Sequence, residues 1–261
     1  MRISAILMPL FAIVAGIVGF FFRRSEHVNV FDVITGLPAR DATTTFGLVG
    51  FSVLILVLIA IFAIRASTKH MALEGFENAF GTDPLAYPII FILIGMLWIA
   101  GTYLHFYNLF SNSEVTAVDI GFVFFSSLSA ISVTFFAIEM YQDSRKNAPY
   151  ALSVVPTLFL CFWLILVFRE NATNPVLISY SYQSLAIVAS ALGFYFTAGF
   201  LYGKPAPGRA IFMYIAAIYF CIVTLADDHS FGITLLLYAM IASNVVYATM
   251  LIKNLQRKHI L

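Results

Sequence analysis

The sequence predicts an all-α, polytopic integral membrane helical bundle, and three observations carry that prediction. First, the 261-residue chain is 61% hydrophobic and 10% charged, whereas a soluble domain is roughly half apolar and a quarter charged. Second, its apolar residues come in uninterrupted runs of about 20, the length at which a helix crosses the hydrocarbon of a bilayer. Third, the charges gather between those runs instead of spreading along them. Together these make the lipid bilayer the partner of most of the chain. The net charge of +1 and the lack of any basic tract leave no basis for binding nucleic acid.

Eight runs qualify as transmembrane helices: 3–22, 46–64, 87–106, 120–139, 150–168, 178–202, 210–225 and 232–252. They make the whole chain, 1–261, a single transmembrane domain. The first run is too long for a signal-peptide core, and no small-x-small cleavage site follows it, so it is expected to remain as an anchor.

Orientation follows from lysine and arginine, because cytoplasmic loops carry the excess. With both termini cytoplasmic, ten of these residues fall inside: Arg2, Arg65, Lys69, Arg145, Lys146, Lys204, Arg209, Lys253, Arg257 and Lys258. Only Arg23, Arg24, Arg40 and Arg169 fall outside. The opposite orientation would invert this ratio, so both ends are expected in the cytoplasm and the location is the cell membrane, multi-pass.

The four outer arginines stand among Glu26, Asp32, Asp41, Glu114, Asp119, Glu170, Asp227 and Asp228. Guanidinium makes forked pairs with carboxylates, which lysine does not. Fixed ion pairs are therefore expected to fold the outer loops onto the bundle, with snorkelling of Arg23 and Arg24 at a helix end as the competing explanation. The segment 23–45 contains Val28, Val30, Phe31, Val33 and Ile34 and a turn at Thr35-Gly36-Leu37-Pro38. It is expected to be an ordered outer loop over the mouth of the bundle.

On the inner side, loop 66–86 places Leu73, Phe76 and Phe80 on one helical face. That pattern predicts a short helix lying in the membrane interface. Within the spans, Ser126, Ala130 and Thr134 recur every four residues, as do Ala189, Gly193 and Thr197. Small residues at this spacing let helices approach closely in lipid. Asn244, in apolar surroundings, is expected to hydrogen-bond a neighbouring helix, and Cys161 and Cys221 read as small buried hydrophobes.

Ionisable residues deep in a span would mark a functional site, but no span carries one near its middle. Glu139 comes nearest and reads as a solvated helix end. The polar residues lie at the outer level instead. Arg23, Arg24, Glu26 and His27 follow the first span, Tyr103 and His105 end the third, and Arg169 ends the fifth. Tyr180, Tyr182 and Gln183 open the sixth, and Asp227, Asp228 and His229 form the last outer turn. Aromatic walls with a few fixed polar groups are what a small-molecule site needs. These residues are accordingly the candidate ligand-binding set, with the arginines holding an anionic group or the loop above it. Interfacial tyrosine belts and solvated loop charges explain the same pattern without a ligand.

His27, His105 and His229 lie in different segments and form no H-x-x-H, H-x-x-x-H or H-E-x-x-H pair, so no metal is assigned. No nucleotide-binding or nucleophile-elbow motif occurs, so no cofactor and no catalytic residue are assigned either. Asn171-Ala172-Thr173 fits a glycosylation sequon, but beside a helix end it reads as coincidence.

The stretch GIVGFFFRRSEHVNVFDVITGLP, through Gly19, Arg23, Arg24, Glu26, Phe31, Thr35, Gly36, Leu37 and Pro38, resembles the start of uncharacterised multi-span membrane proteins of Gram-positive gut anaerobes. The resemblance covers about 40 residues and implies no function. The leading expectation is a small-solute binding or transport protein with an outward-facing pocket. A non-catalytic membrane subunit or sensor docking a membrane or cytoplasmic protein is the alternative, and an intramembrane enzyme the third.

Overall fold

The computed structural model describes residues 2–29, 43–71, 76–81, 85–112, 115–141, 150–173 and 176–257. Among them are nine α-helices: α1 Arg2–Asn29, α2 Thr43–Lys69, α3 Phe76–Phe80, α4 Ala86–Ser111, α5 Ala117–Tyr141, α6 Val155–Glu170, α7 Ile178–Leu201, α8 Pro207–Thr224 and α9 Phe231–Asn254. All but α3 give a helix long and apolar enough to cross a membrane, eight in all, α6 together with the 3-10 turn Tyr150–Val154 that leads into it. The fold is thus the all-helical, multi-pass membrane bundle that the composition predicts. Prolines help to start three helices, with Pro88, Pro156 and Pro207 in first turns where a missing N–H goes unused.

The ends differ from expectation in one consequential place. α1 continues to Asn29, so Arg23, Arg24, Glu26 and His27 stand on its last two turns and not in a loop. Arg23 and Glu26, three positions apart, share one face of that helix and bond to each other. The remainder of the predicted outer loop, 30–42, lies outside the described residues, and so does the side chain of Glu139.

α8 is the innermost helix, packed by α1, α2, α7 and α9. Nearly all its residues from Ala210 to Thr224 are buried, whereas α1, α2 and α4 turn faces of Ile, Leu, Val and Phe outward, as lipid-facing helices do. With no hydrophobic force between helices in lipid, close approach and interhelical hydrogen bonds hold such a bundle. Both predicted seams serve this end. On α5, Ser126 accepts from Trp98 Nε1 of α4 at 3.0 Å and meets the Thr102 hydroxyl at 2.6 Å, while Thr134 packs against Gly95. On α7, Gly193 lies against Tyr214 of α8 and Asn244 of α9, and Thr197 bonds the Tyr214 hydroxyl. Asn244 donates to Ser190 of α7 at 3.3 Å, the interhelical bond expected of it. Of the two cysteines, Cys221 is buried but Cys161 faces outward on α6, where lipid substitutes for a protein core.

The helix in loop 66–86 is also placed differently from expectation. α3 is one short turn, and Phe76 and Phe80 point into the bundle instead of lying in the interface. Phe80 is fully buried, with the rings of Phe200 and Tyr247 at 5.2 and 5.5 Å, and Phe76 packs on Phe136 at 5.9 Å. Asn254, at the end of α9, donates to the carbonyls of Ala79 and Gly81 at 3.0 and 3.1 Å. Beside it, His70–Met71 pairs antiparallel with Gln256–Arg257. Aromatic partners inside the bundle and capped carbonyls outbid the interface for this turn. Leu73, the third residue of the predicted face, lies outside the described residues.

Candidate functional site

The cleft at the other end of the bundle, the Arg23 end, arises from helix lengths. α7 and α8 run antiparallel in a register fixed by Ser190 opposite Cys221 and Thr197 opposite Tyr214. Position 187 therefore faces the last residue of α8, and α7 projects beyond it by roughly 13 Å, at 1.5 Å per residue. On the far side, Gly101 of α4 meets Gly232 at the start of α9, so α4 overshoots by a similar length before Ser111. The turn joining α8 to α9, residues 225–230, is consequently the floor of a recess walled by longer helices.

That recess encloses about 570 Å³, within the range of small-molecule sites. His27 of α1, His105 and Asn108 of α4, and Tyr180 and Gln183 of α7 line its walls. Asp227, Asp228, His229 and Ser230 line its floor, and Phe122, Trp163, Leu166 and Ile233 supply apolar surface. Asp119, Glu170 and Asn171 complete it on the α5–α6 side.

Beneath and beside the floor sits a buried charge network. Arg23 is fully buried and each of its three side-chain nitrogens donates a hydrogen bond. Nε donates to Asp227 Oδ1 at 2.7 Å, one terminal nitrogen to Glu26 Oε2 at 2.7 Å, and the other to the Ser179 carbonyl at 2.7 Å. The guanidinium also lies 5.2 Å from the centre of the Tyr182 ring. Glu26, itself fully buried, accepts from Thr45 Oγ1 of α2 at 2.5 Å. Asp227 accepts further bonds from His27 Nε2 at 2.7 Å and Thr224 Oγ1 at 2.9 Å. One level deeper, Ser52 joins the hydroxyls of Tyr182 at 3.1 Å and Tyr219 at 2.7 Å. Four helices and the α8–α9 turn are thereby pinned around one arginine.

Electrostatics in the turn follow from that network. Burial works to raise the Asp227 pKa, but the bond from His27, the charge and bond of Arg23 and the bond from Thr224 together outweigh it. The carboxyl is held below its ordinary value. Burial lowers the pKa of His229, and the neighbouring Asp227 only partly offsets this, so the imidazole resists protonation.

Of the residues predicted from sequence, His27, His105, Tyr180, Gln183, Asp227, Asp228 and His229 come together in the cleft. Arg23, Glu26 and Tyr182 are buried behind it and do not face it. Arg24 and Arg169 are exposed and outside the lining. Tyr103 is also exposed and stacks on Tyr107 along α4. The expectation that Arg23 presents its charge to an anionic group does not fit this arrangement, because its three nitrogens bond Asp227, Glu26 and the Ser179 carbonyl. Asp119 and Glu170, placed by the sequence among the outer acids, and Phe122 and Trp163, which carried no signal, were not in the predicted set but line the cleft. Among the described residues, no three His, Cys, Asp or Glu side chains converge as metal ligands. Asn171 donates its side-chain amide to the Val167 carbonyl at 2.9 Å, a helix-end role.

Fold and site together define a multi-pass helical membrane protein with a polar recess at one end. Comparison with protein-family models, with curated proteins and with solved structures yields no match to this chain.

Proposed function

We propose that this is a small-solute binding or transport protein of the bacterial cell membrane. Its site is the recess, opening to the outside, with both termini in the cytoplasm. The observation that carries the reading is the cleft itself. A bundle that served only as an anchor or subunit has no need of a 570 Å³ polar recess sunk between its helices. Its pre-organised floor, held by the Arg23 network, suits binding because the lining need not be ordered when a solute arrives. The orientation rests on the lysine and arginine excess at the α3 end.

Two measurements test this. Purified full-length protein is screened against small metabolites by thermal shift, and at least one class of solute is expected to raise the unfolding temperature in a concentration-dependent way. The substitution Gln183→Trp, which fills the recess, is expected to abolish that shift. Labelling of Asp228→Cys in intact cells by a membrane-impermeant maleimide is expected to succeed. Cytosolic protection of that cysteine would overturn the outward-facing assignment.

A further inference from the structure

We propose that the recess selects a small organic cation, an amine or quaternary ammonium compound carrying an apolar group. This rests on reading the recess as a solute site and adds the sign of the solute's charge.

Among the described residues, the lining contains four carboxylates, Asp119, Glu170, Asp227 and Asp228, and no lysine or arginine. Arg23 is fully buried and bonded to Glu26 and Asp227, so its charge is directed at its own partners, and Arg169, next to Glu170 in sequence, is exposed and outside the lining. That network sets one arginine between two carboxylates. Asp119 is engaged locally, accepting from the Thr116 amide and hydroxyl at 2.7 and 2.6 Å. Glu170 and Asp228 accept no hydrogen bond from another described residue, and both line the recess, one ending α6 and the other in the floor turn. Charges arranged in a low-dielectric recess attract the opposite sign and repel the same sign strongly. An anion would meet like charge on the floor and on the α5–α6 side.

The apolar part of the ligand is specified separately. Phe122, Trp163, Leu166 and Ile233 supply the apolar part of the lining. The Asn108 and Gln183 side chains, likewise without hydrogen bonds among the described residues, are free to bond a polar substituent. A bare metal ion fits this less well, since the donors are dispersed and no three converge among the described residues.

The test uses an isosteric series on the full chain in nanodiscs at pH 7.5: phenethylamine, 2-phenylethanol and phenylacetate, with choline and putrescine as further cations. Calorimetric titration is expected to show binding of at least one cation and at least tenfold weaker binding of the neutral and anionic analogues, about 1.4 kcal/mol. Glu170→Gln with Asp228→Asn, both at exposed positions, is expected to leave the unfolding temperature unchanged and to weaken the cation by about tenfold or more. Raised salt is expected to weaken it further. If 2-phenylethanol or phenylacetate binds as tightly as phenethylamine, or the double variant binds the cation normally, the charge assignment is overturned while the solute-site reading stands. If no compound of any charge binds, both fall.

Discussion

The guanidinium of Arg23, on the last turns of α1, donates to the carboxylate of Asp227 at 2.7 Å across 204 positions of sequence. No solvent reaches the arginine, and the bond ties the first span to the turn between the last two. Removing one member of such a buried pair leaves the other uncompensated, at a cost of about 3–5 kcal/mol. Arg23→Met is therefore expected to lower the unfolding temperature in detergent strongly. Arg23→Lys is expected to recover only part of the loss, because an ammonium cannot serve Asp227, Glu26 and the Ser179 carbonyl in the guanidinium's fixed planar geometry. Full stability in Arg23→Met would show that the network is ornamental.

A second prediction concerns the α4–α9 seam that sets the height of the floor. A Cβ on Gly232 would fall onto the backbone of His105, 2.6 Å from its Cα, and 2.7 Å from the Gly101 carbonyl. Backbone cannot step aside as a flexible side chain does, so Gly232→Ala is expected to prise the two helices apart. A Cβ on Gly50 meets nothing within 4 Å. Gly50→Ala is expected to be neutral or slightly stabilising, since alanine favours helix by about 1 kcal/mol. Equal thermal midpoints for both variants would contradict the packing described.

The hydroxyl cluster below the charge network gives a third. Ser52 is the shared partner of Tyr182 and Tyr219. Ser52→Ala strands two buried hydroxyls and is expected to destabilise by about 1–3 kcal/mol. In a Tyr182→Phe, Tyr219→Phe background there is nothing left to strand. The same substitution is then expected to have a markedly smaller effect, a non-additivity that a mutant cycle reads directly.

The fourth is the pH dependence. His229 has its pKa lowered from 6.5 in the folded protein. As pH falls through 6.5 the unfolded chain takes up its proton first, so stability declines from there down to the folded value. Asp227 has its pKa lowered from 3.8. Its contribution is complete above that value and is lost as pH falls toward the folded one. Unfolding midpoints are thus expected to drop in two stages on acidification. His229→Gln should remove its share of the upper stage and leave the lower in place.

The spans were legible in the sequence because each is a local property: an apolar run long enough to cross lipid is visible whatever surrounds it. The seams at Ser126 and Gly193 were legible for the same reason, since their four-residue period lies within one helix. What eluded sequence reasoning was set by contact at a distance. Arg23-Arg24 reads as the end of a span, because nothing local announces that Asp227 will keep Arg23 inside a continuing helix. Phe76 and Phe80 have the pattern of an interfacial helix, and only Phe200, Tyr247 and Asn254, more than a hundred positions away, draw them inward. The burial of Arg23 was hidden in the same way. Counting arginines near the opening does not reveal that the central one is already spoken for.

The single turn of α3 has a bearing on any passage of solute through the molecule. Opposite the cleft, this five-residue turn is seated in the bundle by two phenyl rings and tethered by one asparagine. If solute passes as proposed, lifting that turn while the long helices stand still would be a gate of small stroke, in place of two halves rocking about a midpoint.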